Sequence, residues 1–237
     1  MRVQKYLSAC GACSRRKAEE AVGRGEVTID GELALIGQSV VPGESIVTLC
    51  GESVEHSKKK IPTVLAMHKP RGYVCTHCDP HIGDGESIYA LLKGRDYGKL
   101  ICCGRLDKDS EGLIILADSG ALAAKLMHPS GNVEKFYVVT VDKPISRCHC
   151  KWLRDGVDEG GEFLGVHSLS AIPGSSRSLA ITLHCGKKRH IRRMLAAFGY
   201  EVKRLVRHRI GDFSLGSLAP GKCKRLNESL LKRLLNE

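Results

Sequence analysis

A chain of 237 residues, 42% hydrophobic and 27% charged, has the material for one sizeable core and a small satellite unit. No apolar run approaches the ~20 residues of a membrane-spanning helix, and the amino-terminal stretch MRVQKYLSACGACSRRKAEE lacks the apolar core and cleavage site of a secretory signal; a cytoplasmic protein without a membrane partner is expected. The net charge of +11 favours a polyanionic partner, and it is concentrated: residues 186–209 hold nine Lys/Arg and one acid, whereas residues 1–60 hold nine and eight.

The first predicted elements lie in residues 1–57. After VQKYLSACG, Ser14 can cap a helix that places Ala18, Ala21 and Val22 on one face and ends at Gly23 or Gly25. EVTIDGELA predicts two short strands about an Asp-Gly turn, and ESIVTLCGESV a second hairpin. The polar, basic EHSKKKIP reads as a linker, with 58–62 as its centre. In residues 63–237, TVLAMHKP predicts a strand, ESIYALL a short helix, GLIILAD a strand and SGALAAKLMHP a helix capped by Asp118. EKFYVVTVD is read as a strand, SRCHCKWLRDG as a helix, SLAITLHC as a strand and KKRHIRRMLAAFG as a helix ended by Gly199. YEVKRLVRHRIGDFSL supplies one or two strands and NESLLKRLLNE a last helix. The order is not a regular β-α alternation, so an α+β fold on a mixed, largely antiparallel sheet flanked by helices is expected.

Eleven cysteines, an odd number without a secretory signal, argue against disulfides. Two C-x-x-C pairs, Cys10/Cys13 and Cys75/Cys78, the second near His77 and His81, allow a zinc reading. About sixty residues separate them, whereas compact zinc modules bring their pairs within about 12 to 20, and no metal is assigned.

Arg15, Arg16 and Lys17 begin a helix, where its dipole disfavours cations; a solvated face or an external anion accounts for them. The whole of VQKYLSACGACSRRKAEEAVGRGEVTIDG resembles an S4 domain, a small RNA-binding α/β fold, which implies that these three residues contact RNA. Further on, KPRGYVCT (Lys69 to Thr76), GRLDKDSEGLIILADSG, HPSGNVEKFYVV and GKKRHIRRMLAAFGYEVKRLVRHRIGDFSLGSLAPG follow one another as in the ribosomal RNA pseudouridine synthases of the RsuA/RluB/RluE/RluF type. Together the two resemblances cover nearly the entire chain.

The resemblance implies an isomerase that breaks the C–N glycosidic bond of a uridine, turns the base and makes a C–C bond to the same sugar. Nothing is oxidised and no group is imported, so no cofactor is expected, in keeping with the lack of a Walker A or G-x-G-x-x-G loop. Similarity assigns the catalytic carboxylate to Asp107, which either attacks C1′ or removes the 2′ proton. It assigns the cation that keeps this carboxylate ionised to Arg192; Arg193, about 100° further round the helix, is left to phosphate or packing. Tyr137 matches a tyrosine that stacks on the base. Strand alternation puts Lys135 and Tyr137 on one face, and Phe136 and Val138 on the other, with Tyr137 in the cleft and Phe136 in the core. Arg105 either holds the extruded nucleotide or steadies its loop by a salt bridge. Asp109 and Glu111 are expected to face solvent or cap the loop.

The carboxyl-terminal basic run then reads as an RNA track: Lys187, Lys188 and Arg189 at a helix start, and Lys203, Arg204, Arg207 and Arg209 along a strand, with about half of these charges simply facing water. Two positions depart from the family pattern, Cys185 where an acid is frequent and His190 where a glutamine is common. The expected protein is a monomer that modifies ribosomal RNA, free or in an assembling subunit, with 23S favoured over 16S. The competing reading is a non-catalytic S4-type, ribosome-associated RNA-binding protein.

Overall fold

The computed structural model describes residues 1–55, 62–76, 86–92 and 100–235, which fall into two units, Met1–Ile61 and Pro62–Glu237. The linker residues 58–61, and His77, Cys78 and His81, lie outside the described residues.

In the first unit, α1 (Val3–Ala9) and α2 (Arg15–Gly23) precede β1 (Val27–Ile29), β2 (Glu32–Leu33), β3 (Val47–Leu49) and β4 (Glu52–Ser53). The Ser14 hydroxyl accepts from the Lys17 amide and caps α2. Ala18, Ala21 and Val22 then pack with Val3, Tyr6, Leu7, Val27 and Val47 in one core. The strands form an antiparallel sheet in the order β2-β1-β3-β4. Its two hairpins turn at Asp30-Gly31 and Cys50-Gly51, where both residues of each pair have positive φ, as a two-residue turn matched to strand twist requires.

The second unit continues with β5 (Val64–Lys69), a 3₁₀ turn (Ile88–Leu92), β6 (Ile101–Cys102), β7 (Glu111–Ala117), α3 (Gly120–Met127), a 3₁₀ turn (Pro129–Gly131), β8 (Lys135–Val141) and α4 (Arg147–Asp155). There follow β9 (Val157–Glu159), β10 (Glu162–Leu164), β11 (Ser168–Ala171), β12 (Ser178–Leu183), α5 (His190–Ala196), β13 (Val202–Ile210), β14 (Phe213–Ser214), β15 (Cys223–Arg225) and α6 (Glu228–Leu235). The main sheet runs β11-β12-β8-β13-β7-β5-β15, with β14 on β13 and β6 on β7. Its pairings are antiparallel except β13 with β7, which lie parallel with Arg207 opposite Gly112.

The sheet separates two cores. Leu113, Ile115 and Ala117 of β7 join Leu122 and Leu126 of α3 and Leu234 of α6 on one side. Ile114 and Leu116 join Leu153 of α4 and Ile191, Met194 and Leu195 of α5 on the other. A strand covered on both faces carries a continuous apolar run rather than an alternating one, which explains LIILA.

Three local expectations need correction. Ser119, not Asp118, caps α3, by accepting from the Leu122 amide; the Asp118 carboxylate is taken by the Thr63 amide at 2.9 Å. The short α5 begins at His190 because Arg189 sits at φ +52°, so Lys187 and Lys188 precede the helix. Phe136 is not a core residue. Tyr137, Val139 and Val141 are the buried set of β8, and Phe136 is half-buried with the Arg209 guanidinium 5.9 Å from its ring centre.

Candidate active site

Asp107 lies in the turn that carries the chain from β6 into β7. The turn closes on itself through the Ser110 amide, which donates to the Asp107 carbonyl at 3.0 Å. Buried cations hold it from three directions. Lys69, at the end of β5 and with no exposed surface, donates from Nζ to the carbonyls of Ser110 at 2.6 Å, Pro70 at 3.0 Å and Lys108 at 3.2 Å. Burial lowers its ammonium from the ordinary 10.5 to about 8, against the pull of nearby Cys75 and Asp107.

Arg192, on the first turn of α5, reaches over the same segment. Its Nη2 donates to the Asp109 carbonyl at 3.0 Å and the Ser110 hydroxyl at 3.3 Å, and its Nη1 to the Val202 carbonyl at 3.3 Å. Its Nε faces an Asp107 carboxylate oxygen at 3.9 Å. That nitrogen is buried and makes no hydrogen bond, and the distance is too long for one. Burial and the neighbouring Arg189 lower the Arg192 guanidinium, while Asp107 raises it. The Asp107 side chain is 32% exposed against 11% for Arg192: the acid is the more accessible of the two.

The third cation is Arg207, which the sequence places in an RNA track and the structure places inside the protein, 2% exposed. In β13 the register shifts between Val202 and Arg204 and again between Arg207 and Arg209, but between these points the pairing is regular, with Leu205 opposite Val139 and Arg207 opposite Tyr137. Leu205 and Arg207 share one face and Val206 the other, and all three are buried because β13 is a central strand of the sheet. The guanidinium donates to the carbonyls of Leu113 at 2.6 Å and Gly104 at 3.2 Å and to the Tyr137 hydroxyl at 3.4 Å. It therefore ties the start of the Asp107 loop to Tyr137, which was expected in the cleft and instead is 7% exposed, packed in the core with Leu106 and Ile191 because it lies on the inward face of β8. Leu106 is fixed further by Cys75, whose sulfur accepts from its amide at 3.5 Å. A hydrogen bond from Cys102, aided by the Leu106 amide and the charges of Lys69 and Arg207, draws the Cys75 thiol below its ordinary value.

Of the residues singled out in the sequence, Asp107 and Arg192 meet directly, and Tyr137 joins them through one intermediary, Arg207. Arg105 is exposed. Asp109 is exposed, whereas Glu111 is paired with Arg204 at 2.6 Å. Arg193 turns away from Arg192 and grips the β9–β10 hairpin, with Nε 2.6 Å from Glu159 and Nη1 2.6 Å from Glu162. In the basic track, Lys187 is held by the Phe163 carbonyl at 2.7 Å and by Glu162 at 3.3 Å, and Lys203 by Glu201 at 2.6 Å. Lys188 and Arg189 are exposed, as are Arg15, Arg16 and Lys17 in the first unit. His190, the departure from glutamine, is buried and accepts at Nδ1 from the Lys187 amide at 3.3 Å.

Lys69 and Ser110 are the members that sequence reasoning left out, and Arg207 is the one it assigned to the RNA track instead. A lysine closing an apolar strand was the available signal for the first. For Arg207 there was none, since the same pattern suits a solvent-facing strand.

Comparison with known proteins gives a consistent set of likenesses. Residues 63–197 match the family described as RNA pseudouridylate synthase, and residues 1–46 match the S4 domain. An uncharacterised RNA pseudouridine synthase of Mycobacterium leprae is 39% identical over 100% of this chain and 93% of its own length. The dual-specificity RNA pseudouridine synthase RluF of Escherichia coli is 36% identical over 98% of this chain and 77% of its own. A crystal structure of a pseudouridylate synthase superposes with a TM-score of 0.70 at 27% identity, covering 99% of both chains.

Proposed function

Since the chain belongs to the RNA pseudouridylate synthases and isomerises uridine to pseudouridine in RNA, we propose that Asp107 is its catalytic carboxylate and that its substrate is ribosomal RNA, 23S rather than 16S. The observation that carries the site assignment is the pairing of a solvent-reachable carboxylate with a buried arginine Nε, 3.9 Å away and without a partner. A small approach of the two groups makes a charge-assisted hydrogen bond that orients the carboxylate beside an extruded nucleoside. The Asp107 oxygen facing solvent then either attacks C1′ or takes the 2′ proton.

Tyr137, its hydroxyl fixed by Arg207, is buried and offers its ring to the base once the entering nucleotide displaces the side chains that cover it. Arg105, exposed two residues before the acid, meets the displaced nucleotide or its phosphate. Lys188 and Arg189, together with Arg15, Arg16 and Lys17, contribute phosphate contacts whose strength depends on salt. Lys203, Arg204 and Lys187 do so only by sharing or leaving their carboxylates. The reading is of a cytoplasmic monomer acting on free RNA or an assembling subunit.

The test is a map of pseudouridine in ribosomal RNA from cells with the wild-type gene, without it, and with Asp107→Asn. The expected result is one or more sites lost in both the deletion and the variant, with the variant protein still binding RNA. An unchanged map in the variant, with the sites lost in the deletion, would overturn Asp107 as the acid. An unchanged map in the deletion would overturn ribosomal RNA as substrate.

A further inference from the structure

Glu134, His167 and His184 gather at one end of the main sheet, away from any contact so far assigned to the reaction. Three adjacent strands bring them there. β8 and β12 pair with Lys135 opposite Leu183, so the residues flanking that pair, Glu134 and His184, come side by side. β11 pairs with β12 with Ser168 opposite Thr182, and the His167 amide extends the ladder by donating to the Thr182 carbonyl at 2.9 Å. One ligand atom from each residue lies within 4.8 Å of the other two. The two imidazoles stand edge to face with centres 4.2 Å apart.

The surroundings of the three side chains resemble those of metal ligands. His184 Nδ1 lies 3.3 Å from the Asn132 carbonyl. A carbonyl can only accept, so Nδ1 carries the hydrogen and Nε2 presents its lone pair, the arrangement by which an outer carbonyl orients a ligating histidine. Glu134 divides its oxygens. Oε2 accepts from Arg209 at 3.2 Å, while Oε1 is 3.4 Å from His167 Nε2. Arg209 is itself fixed by the Gly211 carbonyl at 2.8 Å, so it aims the carboxylate without occupying the oxygen that faces the imidazoles. The other nearby cation, Lys135, has its Nζ on the carbonyls of His184 and Val133, both at 2.8 Å.

We propose that Glu134, His167 and His184 form a binding site for a divalent transition metal of the zinc class, with His184 Nε2, His167 Nε2 and Glu134 Oε1 as ligands. Two imidazoles and one carboxylate are a donor set that suits zinc and leaves a position open to water. Tetrahedral zinc needs its ligand atoms about 3.3 Å apart, which modest rotation of the half-exposed His167 supplies. A bound ion would pin the ends of β8, β11 and β12, and β8 is the strand that carries Tyr137. The site is independent of the C-x-x-C pairs and of the assignment of Asp107.

The test uses the full-length chain, reduced and stripped with a chelator, titrated calorimetrically with zinc chloride alone. Because free thiols can also take up zinc, the measured quantity is the difference between wild type and His167→Ala, His184→Ala and Glu134→Gln. The expected result is one equivalent more in wild type than in either histidine variant, and binding weakened at least 30-fold in Glu134→Gln, with all four proteins melting alike in chelator. Cobalt in place of zinc should give weak visible bands at this equivalent, without the intense thiolate-to-metal absorption. Equal stoichiometry and affinity in wild type and His167→Ala would overturn the proposal, as would a cobalt spectrum of thiolate type alone. His167 is exposed, so this single variant decides the question even if His184→Ala fails to fold.

Discussion

Gly112→Ala is the substitution whose effect the structure specifies most fully. Gly112 has φ +111° and sits in β7 between Lys69 of β5 and Arg207 of β13. A Cβ there would stand 2.3 Å from the Arg207 carbonyl oxygen, 2.6 Å from its nitrogen and 3.0 Å from its carbonyl carbon. These are main-chain atoms of a central strand, so relief requires the parallel β7–β13 pair to open rather than a side chain to rotate. The backbone conformation costs an alanine about 1 to 3 kcal/mol, and forced overpacking about as much again. A total of about 4 kcal/mol corresponds to a Tm lower by about 8 to 16 °C for a protein of this size. The control is Gly174→Ala, at φ +78° with nothing within 4 Å of the added methyl, which isolates the conformational part at about 1 to 2 kcal/mol. Thermal and urea unfolding of both variants measure the comparison. If Gly112→Ala melts within about 2 °C of Gly174→Ala, the close approach of the two strands is wrong.

Lys69 carries a pH-dependent cost. Its folded-state value of about 8 lies below the ordinary 10.5, so below pH 8 both folded and unfolded chains hold the proton and the penalty of about 3 kcal/mol is fully present. Between pH 8 and 10.5 the unfolded chain binds more protons than the folded one, and stability rises with pH. Lys69→Met should lack this rise, and parallel urea-midpoint curves for the two proteins over that interval would refute it. Arg207→Met removes three hydrogen bonds from buried acceptors and should cost about 3 kcal/mol and lower kcat/KM at least tenfold by releasing Gly104 and Tyr137. Tyr137→Phe, which deletes only the 3.4 Å contact, should cost no more than about 1 kcal/mol; comparable losses from the two variants in urea unfolding and single-turnover assays would count against Arg207 as the joint.

Local chemistry made much of this fold readable. The cap at Ser14 and the Asp30-Gly31 turn depend on neighbours a few residues away, and both follow from propensity and turn rules. The strand at LIILA needed only its continuous apolarity. Failures occurred where a distant partner decided the outcome. Asp118 was drawn off the helix by Thr63, which lies across a strand pairing. The β9–β10 hairpin, clasped by Arg193, was missed although VDEGGEFL holds a Gly-Gly turn, because its strands are short and acidic. Arg207 misled for a further reason: regular pairing puts it on the face of Leu205, opposite Tyr137, within a sheet covered on both sides, where a strand pattern gives no sign that a cation is buried. In the candidate site, Asp107 and Arg192 were named through resemblance, since no local pattern couples residues whose closest approach spans the β6–β7 turn and α5. Lys69 and Ser110 escaped because they act on carbonyls, which sequence does not label.

The turn that bears Asp107 is tethered from residues 41, 82 and 103 positions away along the chain. During synthesis the acid is made early, yet its geometry is completed only when β13, near the carboxyl end, takes its place between β7 and β8. A chain in which β13 has not yet docked lacks the tether from Arg207 to Gly104, and, if Asp107 is the catalytic acid, is expected to leave uridines unmodified. A truncation before residue 207 should therefore abolish pseudouridine formation in a single-turnover assay, while RNA binding by residues 1–46 persists in a filter-binding assay.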